Sequence, residues 1–210
     1  MSHEGDHTAQ PDKKTLRRQL RTQRRFRAPQ RDRGADAAAI AAAAGTLLET
    51  LLLMPSGTGE HTADHTQPCV AIYRSLPIEP PTDALAQMLH ARNVTVIVPE
   101  TLPDFDLEWH QLLTDGSEGP RLGLWGIAAA RVILTPALSV DYGGTRLGQG
   151  GGCYDRALAR RGRDALIVAI VNDGEYAAGP LPLDAHDVRV DAVITPAGGF
   201  SRILGPGSVA

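Results

Sequence analysis

The chain has 210 residues, of which 42% are hydrophobic and 21% charged, with 24 acidic against 21 basic side chains and a net charge of −3. Such a balance can bury the core of one domain without disulfides or metals, and it excludes a global field that would attract nucleic acid or phosphate, so any such attraction has to be local. Two cysteines, Cys69 and Cys153, without a C-x-x-C spacing exclude a zinc ribbon or a dithiol motif.

The first ten residues are polar and partly acidic, unlike a secretory signal. Residues 1–11 read as disordered, 12–200 as a single α/β domain and 201–210 as a tail. Asp12 is placed to N-cap a helix from Lys13 to about Arg27, on which Leu16, Leu20 and Gln23 mark a narrow apolar stripe. From Lys13 to Arg33, ten basic residues accompany one acid, Asp32, and the only two lysines of the chain, Lys13 and Lys14, stand side by side. Read alone, Lys13, Lys14 and Arg17 are better explained as a solvated helix face than as an anion site. Pro29 ends this helix. An Ala-rich helix follows over about Ala35 to Leu53; its Asp36, Thr46, Glu49 and Thr50 make it a packed helix and not a membrane span.

After a polar loop with Pro55, Gly57, Gly59 and Pro68, Val70 to Arg74 reads as a buried strand. Thr82 is expected to cap a helix with Leu85, Met88 and Leu89 on one face, ended by Asn93. Val94 to Val98 is a strand stopped by Pro99. Phe105 to Leu112 alternates like an edge hairpin strand, and 114–124 is irregular. Val132 to Val140 is a strand bent at Pro136. A helix from about Tyr154 to Arg161 ends at Gly162. Leu166 to Val171 is a strand, and Val190 to Thr195 is the last. Apolar strands alternating with helices predict an α/β fold, a mostly parallel sheet with helices on both faces.

The most informative segment is the loop from Gly143 to Gly152, with six glycines in ten residues between a buried strand and a helix start. In open α/β sheets, ligands gather at the carboxyl ends of strands. Glycines let backbone N–H groups approach an anion, and Arg146 and Arg156 add charge. There is no Gly-Lys-Ser/Thr, so this is not a Walker loop, and Cys153 stands where a dinucleotide fingerprint needs its third glycine. Asp155 begins the next helix; it fits either a carboxylate complementing the helix dipole or a ligand for Mg²⁺ beside a polyphosphate.

Arg146-Leu-Gly-Gln-Gly-Gly-Gly-Cys-Tyr-Asp-Arg resembles the signature of the 5-formyltetrahydrofolate cyclo-ligase family, Arg-Leu-Gly-x-Gly-x-Gly-x-Tyr-Asp. Lys13-Lys-Thr-Leu-Arg, Tyr73-Arg-Ser-Leu-Pro-Ile-Glu-Pro-Pro-Thr and His186-Asp-Val-Arg-Val-Asp-Ala-Val-Ile-Thr-Pro are similar to three further blocks of that family, in its order. The resemblance implies a fold related to sugar-phosphate isomerases and CoA transferases. It also implies ring closure of 5-formyltetrahydrofolate to the 5,10-methenyl form, with ATP as co-substrate and Mg²⁺ as cofactor. By position it implies that Lys13, Lys14, Thr15, Leu16 and Arg17 hold ATP together with Arg146, Leu147, Gly148, Gln149, Gly150, Gly151, Gly152, Cys153 and Tyr154. Lys13 and Arg146 would act on the transferring phosphate, and Asp155 and Asp187 would hold the metal. Arg74, Glu79 and the stretch Gln149, Gly150, Gly151, Gly152, Cys153 would line the folate pocket. The sequence departs from the family where aromatic residues often stand, at Val140 and Cys153, and over 114–125, where a Phe-Gly-x-x-Glu-Pro-like block is replaced by Pro120-Arg-Leu-Gly-Leu-Trp-Gly.

In the proposed chemistry the formamide oxygen is phosphorylated, the second folate nitrogen closes the ring and phosphate leaves, so charge positioning suffices and no protein nucleophile is demanded. Two rivals use the same residues differently: a sugar-phosphate isomerase or CoA-transferase-like enzyme, or an RNA-binding protein working through the basic helix. The latter is disfavoured because Phe26 is the only aromatic interleaved in that helix. A cytoplasmic monomer without nucleic-acid or membrane partners is expected.

Overall fold

The computed structural model describes residues 11–52, 67–177 and 179–203. The expectations for residues 1–10, for most of the polar loop before Pro68 and for 204–210 lie outside the described residues. Two helices open the described chain, α1 (Lys13–Arg27) and α2 (Arg33–Leu52), followed by β1 (Cys69–Ala71), α3 (Asp83–Ala91), β2 (Thr95–Thr101), β3 (Leu107–Leu112) and β4 (Glu118–Gly123). Then come β5 (Val132–Pro136), β6 (Ser139–Asp141), β7 (Arg146–Leu147), α4 (Cys153–Leu158), β8 (Leu166–Ile170), β9 (Tyr176–Ala177), β10 (Ala192–Thr195) and β11 (Gly199–Arg202).

The main sheet runs β11-β10-β8-β5-β1-β2-β3-β4. From β10 to β2 all neighbours are parallel, whereas β11, β3 and β4 add antiparallel edges. The central strands are mostly apolar because both faces are covered, with Thr135 and Thr195 buried near strand ends. Along β5, Val132 and Leu134 join the cluster under α2 and α3 with Ile40, Leu48 and Leu85, while Ile133 turns to the other face with Ile97, Trp109, Ile127 and Leu158. Helix α1 belongs to neither cluster; its one buried residue is Arg24.

Several local expectations are corrected. Pro99 does not stop β2, which continues to Thr101 opposite β3. Ile97 O accepts from Ile72 N, so by alternation the imide nitrogen of Pro99 points to the β1 side, past the end of that strand, where no ladder bond is lost. The strand Leu107–Leu112 is not an edge: the stretch expected to be irregular supplies β4 outside it, with Pro120 on that outermost strand. Pro136 ends β5, and β6 leaves for a second small sheet, β7-β6-β9. β10 is followed by β11. Helix α4 is only six residues long. Thr82 precedes α3, but its hydroxyl donates to Tyr73 O at 2.8 Å and not to the helix. Asp12 caps α1 as expected, accepting from Thr15 N at 2.7 Å.

Candidate active site

Strand order reverses between β1 and β5, since the chain leaves β1 toward β2 and returns on the other side. In such sheets a crevice opens at the carboxyl ends of those strands. A cleft of about 920 Å³ lies there, with Tyr73 after β1, Pro99 in β2 and Pro136 in β5 in its wall. The glycine loop and the start of α1 form the other walls.

The loop is anchored before it reaches the cleft. Arg146 and Leu147 pair with β6. At Gly144, with φ +82°, a Cβ would stand 2.5 Å from Val190 O, so only glycine permits this approach to the chain before β10. Beyond Leu147 the loop lies under α1. Arg17 donates to Gly148 O at 3.0 Å, and Arg21 donates to Gln149 Oε1 at 2.9 Å and also to Gln149 O. Gly150 takes φ +103°, and a Cβ there would meet the Arg17 guanidinium at 3.4 Å. Arg24, one turn on, makes a bidentate pair with Glu175 (2.8 and 2.5 Å) and donates to Ala137 O at 2.6 Å. The docking face of α1 is thus Arg17, Arg21 and Arg24 at helical spacing, not the apolar stripe. The sequence did not single out Arg21 or Arg24, although the i, i+4, i+7 spacing from Arg17 was a readable signal.

Charge is concentrated on both sides of the cleft. Lys13 Nζ donates to Asp184 Oδ2 at 2.6 Å and also to Asp187. Burial pushes the Asp187 carboxyl up, but the Asp184 N–H and the Lys13 ammonium outweigh it and hold it below the usual carboxylate range. Burial likewise lowers Lys13, yet its two carboxylate partners raise it overall. Asp187 also closes a turn, accepting from Asp184 N at 2.8 Å, so a capping role and a site role coexist in one residue. Opposite, Arg146 donates to Asp155 at 2.6 Å and lies 5.7 Å from the centre of the Tyr154 ring. Arg146 Nε and the Tyr154 hydroxyl are buried without a partner. Burial drives the Tyr154 phenol pKa far up, so the hydroxyl remains a donor.

Glu79 is 6% exposed and accepts from Leu76 N at 3.0 Å through Oε2, and Arg74 stands exposed, 3.4 Å from Glu118. Both line the cleft together with Lys13, Lys14, Arg17, Arg146, Asp155 and Asp187. The loop from Gly148 to Tyr154 lines it as well, whereas Thr15, Leu16 and Leu147 do not; Leu147 is in the core. The two aspartates expected to share a metal do not come together with a third ligand. Asp187 instead groups with Asp184 and His186, their ligand atoms within 4.8 Å of one another, and Asp155 is engaged by Arg146. Asp184 was missed although it lies three residues from Asp187. As donors, two carboxylates fit Mg²⁺, which prefers oxygen, and the imidazole does not.

A mostly parallel α/β sheet, a charged cleft over its strand ends and a backbone-rich glycine loop make a site of the kind suited to a small anionic molecule. The profile of the 5-formyltetrahydrofolate cyclo-ligase family matches residues 9–196. The chain belongs to that family. It is 45% identical over 74 residues to a 5-formyltetrahydrofolate cyclo-ligase of Mycolicibacterium smegmatis, covering 35% of this chain and 38% of that protein. It is 31% identical over 105 residues to one of Haemophilus influenzae, covering 42% and 54%. The chain thus spans about half or less of these relatives' lengths in the matched stretches. Two solved structures share the fold. One is a 5,10-methenyltetrahydrofolate synthetase of Aquifex aeolicus, with TM-score 0.62 and 20% identity over 93% of this chain and 96% of that one. The other is from Mycoplasma pneumoniae, with TM-score 0.60 and 18% identity over 87% and 98%.

Proposed function

We propose that the protein converts 5-formyltetrahydrofolate and ATP to 5,10-methenyltetrahydrofolate, ADP and phosphate. Family membership supports the reading. The observation that carries it is the polarity of one cleft: Lys13, Lys14, Arg17 and Arg146 face it beside the glycine loop, while a buried carboxylate, Glu79, faces it from the strand ends. A nucleotide triphosphate suits the first wall and the ring N–H groups of a reduced pterin suit the second.

In this reading Lys13 and Arg146 neutralise the transferring phosphoryl group, and backbone N–H groups of Gly148 to Gly152 hold its oxygens. The formyl oxygen attacks the terminal phosphorus and the ADP oxygen leaves. The second folate nitrogen then attacks the activated carbon, loses its proton, and the C–O bond breaks to release phosphate carrying the formyl oxygen. The reacting nitrogen is in the same molecule, which supplies a large effective concentration. Asp187 with Asp184 would hold Mg²⁺, which would supply charge neutralisation to the polyphosphate; Asp155, paired with Arg146, would join them only if that pair opened. Arg146 pairs with one carboxylate, Asp155, and Lys13 with two, Asp184 and Asp187, so phosphate binding would exchange anionic partners for another anion. A monomer acting in the cytoplasm completes the reading.

Purified protein should form the near-ultraviolet-absorbing methenyl product only with both ATP and Mg²⁺, with one phosphate released per ring closed. Conversion without nucleotide, or none by a folded sample, would sink the proposal.

A further inference from the structure

The tip of the β2–β3 hairpin carries a feature that neither the glycine loop nor the charged walls use. Phe105 has φ +64°, a left-handed conformation that bulky side chains rarely adopt, and is 59% exposed. Both properties are costly in isolation, and the surroundings enforce them. Phe105 N donates to Leu102 O and Leu102 N to Asp106 O, each at 2.9 Å, closing the turn. Arg156 Nη2 donates to Phe105 O at 2.6 Å and to Gly151 O at 3.1 Å, tying the tip to the glycine loop. Arg160 grips Asp106 with two hydrogen bonds, one of 3.0 Å. The ring itself is not packed away: its Cδ1 lies 3.6 Å from where a Cβ on Gly151 would stand, and Gly151 is part of the cleft wall, as are Thr101 and Leu107 at the two roots of the hairpin. Phe105 does not itself line the cleft, and neither do the exposed aromatics Phe26, Trp125 and Tyr142; of these, the Phe105 ring stands against a wall residue, Gly151, while Tyr73 inside the cleft is buried. A strained backbone that persists because its neighbours over-determine it, and that holds an apolar ring beside the cleft wall at Gly151, is the feature to explain.

We propose that Phe105 stacks on the aminobenzoyl ring of the folate substrate and fixes the tail of that substrate at the mouth. This rests on the cyclo-ligase reading, in which Glu79 takes the pterin at the buried end; the planar aryl ring then trails outward past Gly151. The absence of a side chain at Gly151 leaves the slot beside the phenyl ring open. The contact orients the substrate and takes no part in bond making, so it acts on affinity.

The test uses the full chain with Phe105→Ala, Phe105→Tyr and Phe105→Asn. Stacking of this kind corresponds to a three- to tenfold effect, on the order of 0.5–1.5 kcal/mol. The KM for 5-formyltetrahydrofolate should rise by about that factor in the Ala and Asn variants and stay within about twofold in the Tyr variant, with kcat little changed. Equilibrium titration with a tetrahydropterin that lacks the aryl tail, and with ATP, should give the same Kd for wild type and all variants. Asn tolerates the left-handed conformation, so Phe105→Asn should melt at or above the wild-type temperature. An unchanged KM in Phe105→Ala overturns the proposal, as does a melting temperature several degrees lower in Phe105→Asn with tetrahydropterin and ATP binding lost in parallel. If the wild type fails to turn over, the cyclo-ligase reading falls, and equilibrium titration of wild type and Phe105→Ala with 5-formyltetrahydrofolate itself still decides whether Phe105 senses an aryl group.

Discussion

Glu79 has one carboxylate oxygen tied to Leu76 N and no partner for the other among the described residues. Pro80 and Pro81 follow, and Tyr73 donates its hydroxyl to Pro80 O at 2.8 Å, so the turn is stiff and the free oxygen is aimed by the backbone. Glu79→Gln keeps the size but puts a donor where a pterin donor arrives. The unpaired group costs roughly 1–3 kcal/mol, so folate affinity should fall by about tenfold or more while ATP affinity stays within about twofold. Separate titrations distinguish this from a collapsed turn, which would weaken both. At this scale the sequence was most legible. The glycines announce their positions because a positive φ is a local demand, and the acid after a strand end is placed by fold class. The burial of Glu79 and the free Tyr154 hydroxyl were not legible, since both depend on what distant segments cover.

Helix α1 shows where element-scale reading succeeds and fails. Its span, cap and basic character follow from the local sequence. Its attachment does not: the spacing puts Arg17, Arg21 and Arg24 on one face, but Arg24 and Glu175 are 151 residues apart, and the spacing does not say that this face is the buried one. The same distance effect hid β4, whose residues are exposed or half-buried with none in the core, and the two-residue strands β7 and β9, which exist only because β6 stands between them. The parallel core strands were legible because burial on both faces makes them continuous apolar runs. Because α1 is held by arginines, losing one partner strands the other. Arg24→Ala leaves the buried Glu175 without a countercharge, with only Asn172 among the described residues donating to it, and should cost about 3–5 kcal/mol in chemical denaturation, whereas Arg24→Met with Glu175→Leu should recover most of it. The exposed Arg25→Ala should stay within about 0.5 kcal/mol and serves as the charge-matched comparison for Lys13→Ala, which should weaken ATP binding more. Equal losses from Arg25→Ala and Lys13→Ala would assign ATP attraction to the general field of the helix.

Across the whole molecule, the titrating carboxylates set the acid limit. The Arg160 guanidinium holds Asp106 below the usual range, and Asp187 is lowered as described. A depressed folded-state value stabilises above the unfolded pKa, near 4, and the contribution is lost as pH falls through the folded value. Lys13 is raised, so its contribution is present below about 10 and is lost only as pH rises through the folded value. Resistance to urea should therefore be level between about pH 5 and 9 as far as these groups decide it, and fall in acid. Asp106→Asn should be less stable than wild type on the plateau, with the gap narrowing as pH drops from 5 to 3. A gap that stays constant would mean that the Arg160 contact does not set the acid limb. No described helix is long and apolar enough to cross a membrane.

The anchoring of the glycine loop has a consequence for ligand entropy. Gly143 to Leu147 are already fixed by pairing with β6 and by the carboxylate of Asp141, which accepts from Gly143 N and Thr145 N at 2.9 and 2.8 Å. Only Gly148 to Gly152 are left to be stilled around an anion, and two of their carbonyls are already held by Arg17 and Arg21. Ordering a free residue costs about 1–2 kcal/mol, so a ten-residue loop with its first five residues already fixed binds as if it were half as long. Its first half acts as scaffold, and the freedom that glycine confers is confined to the stretch that touches the ligand.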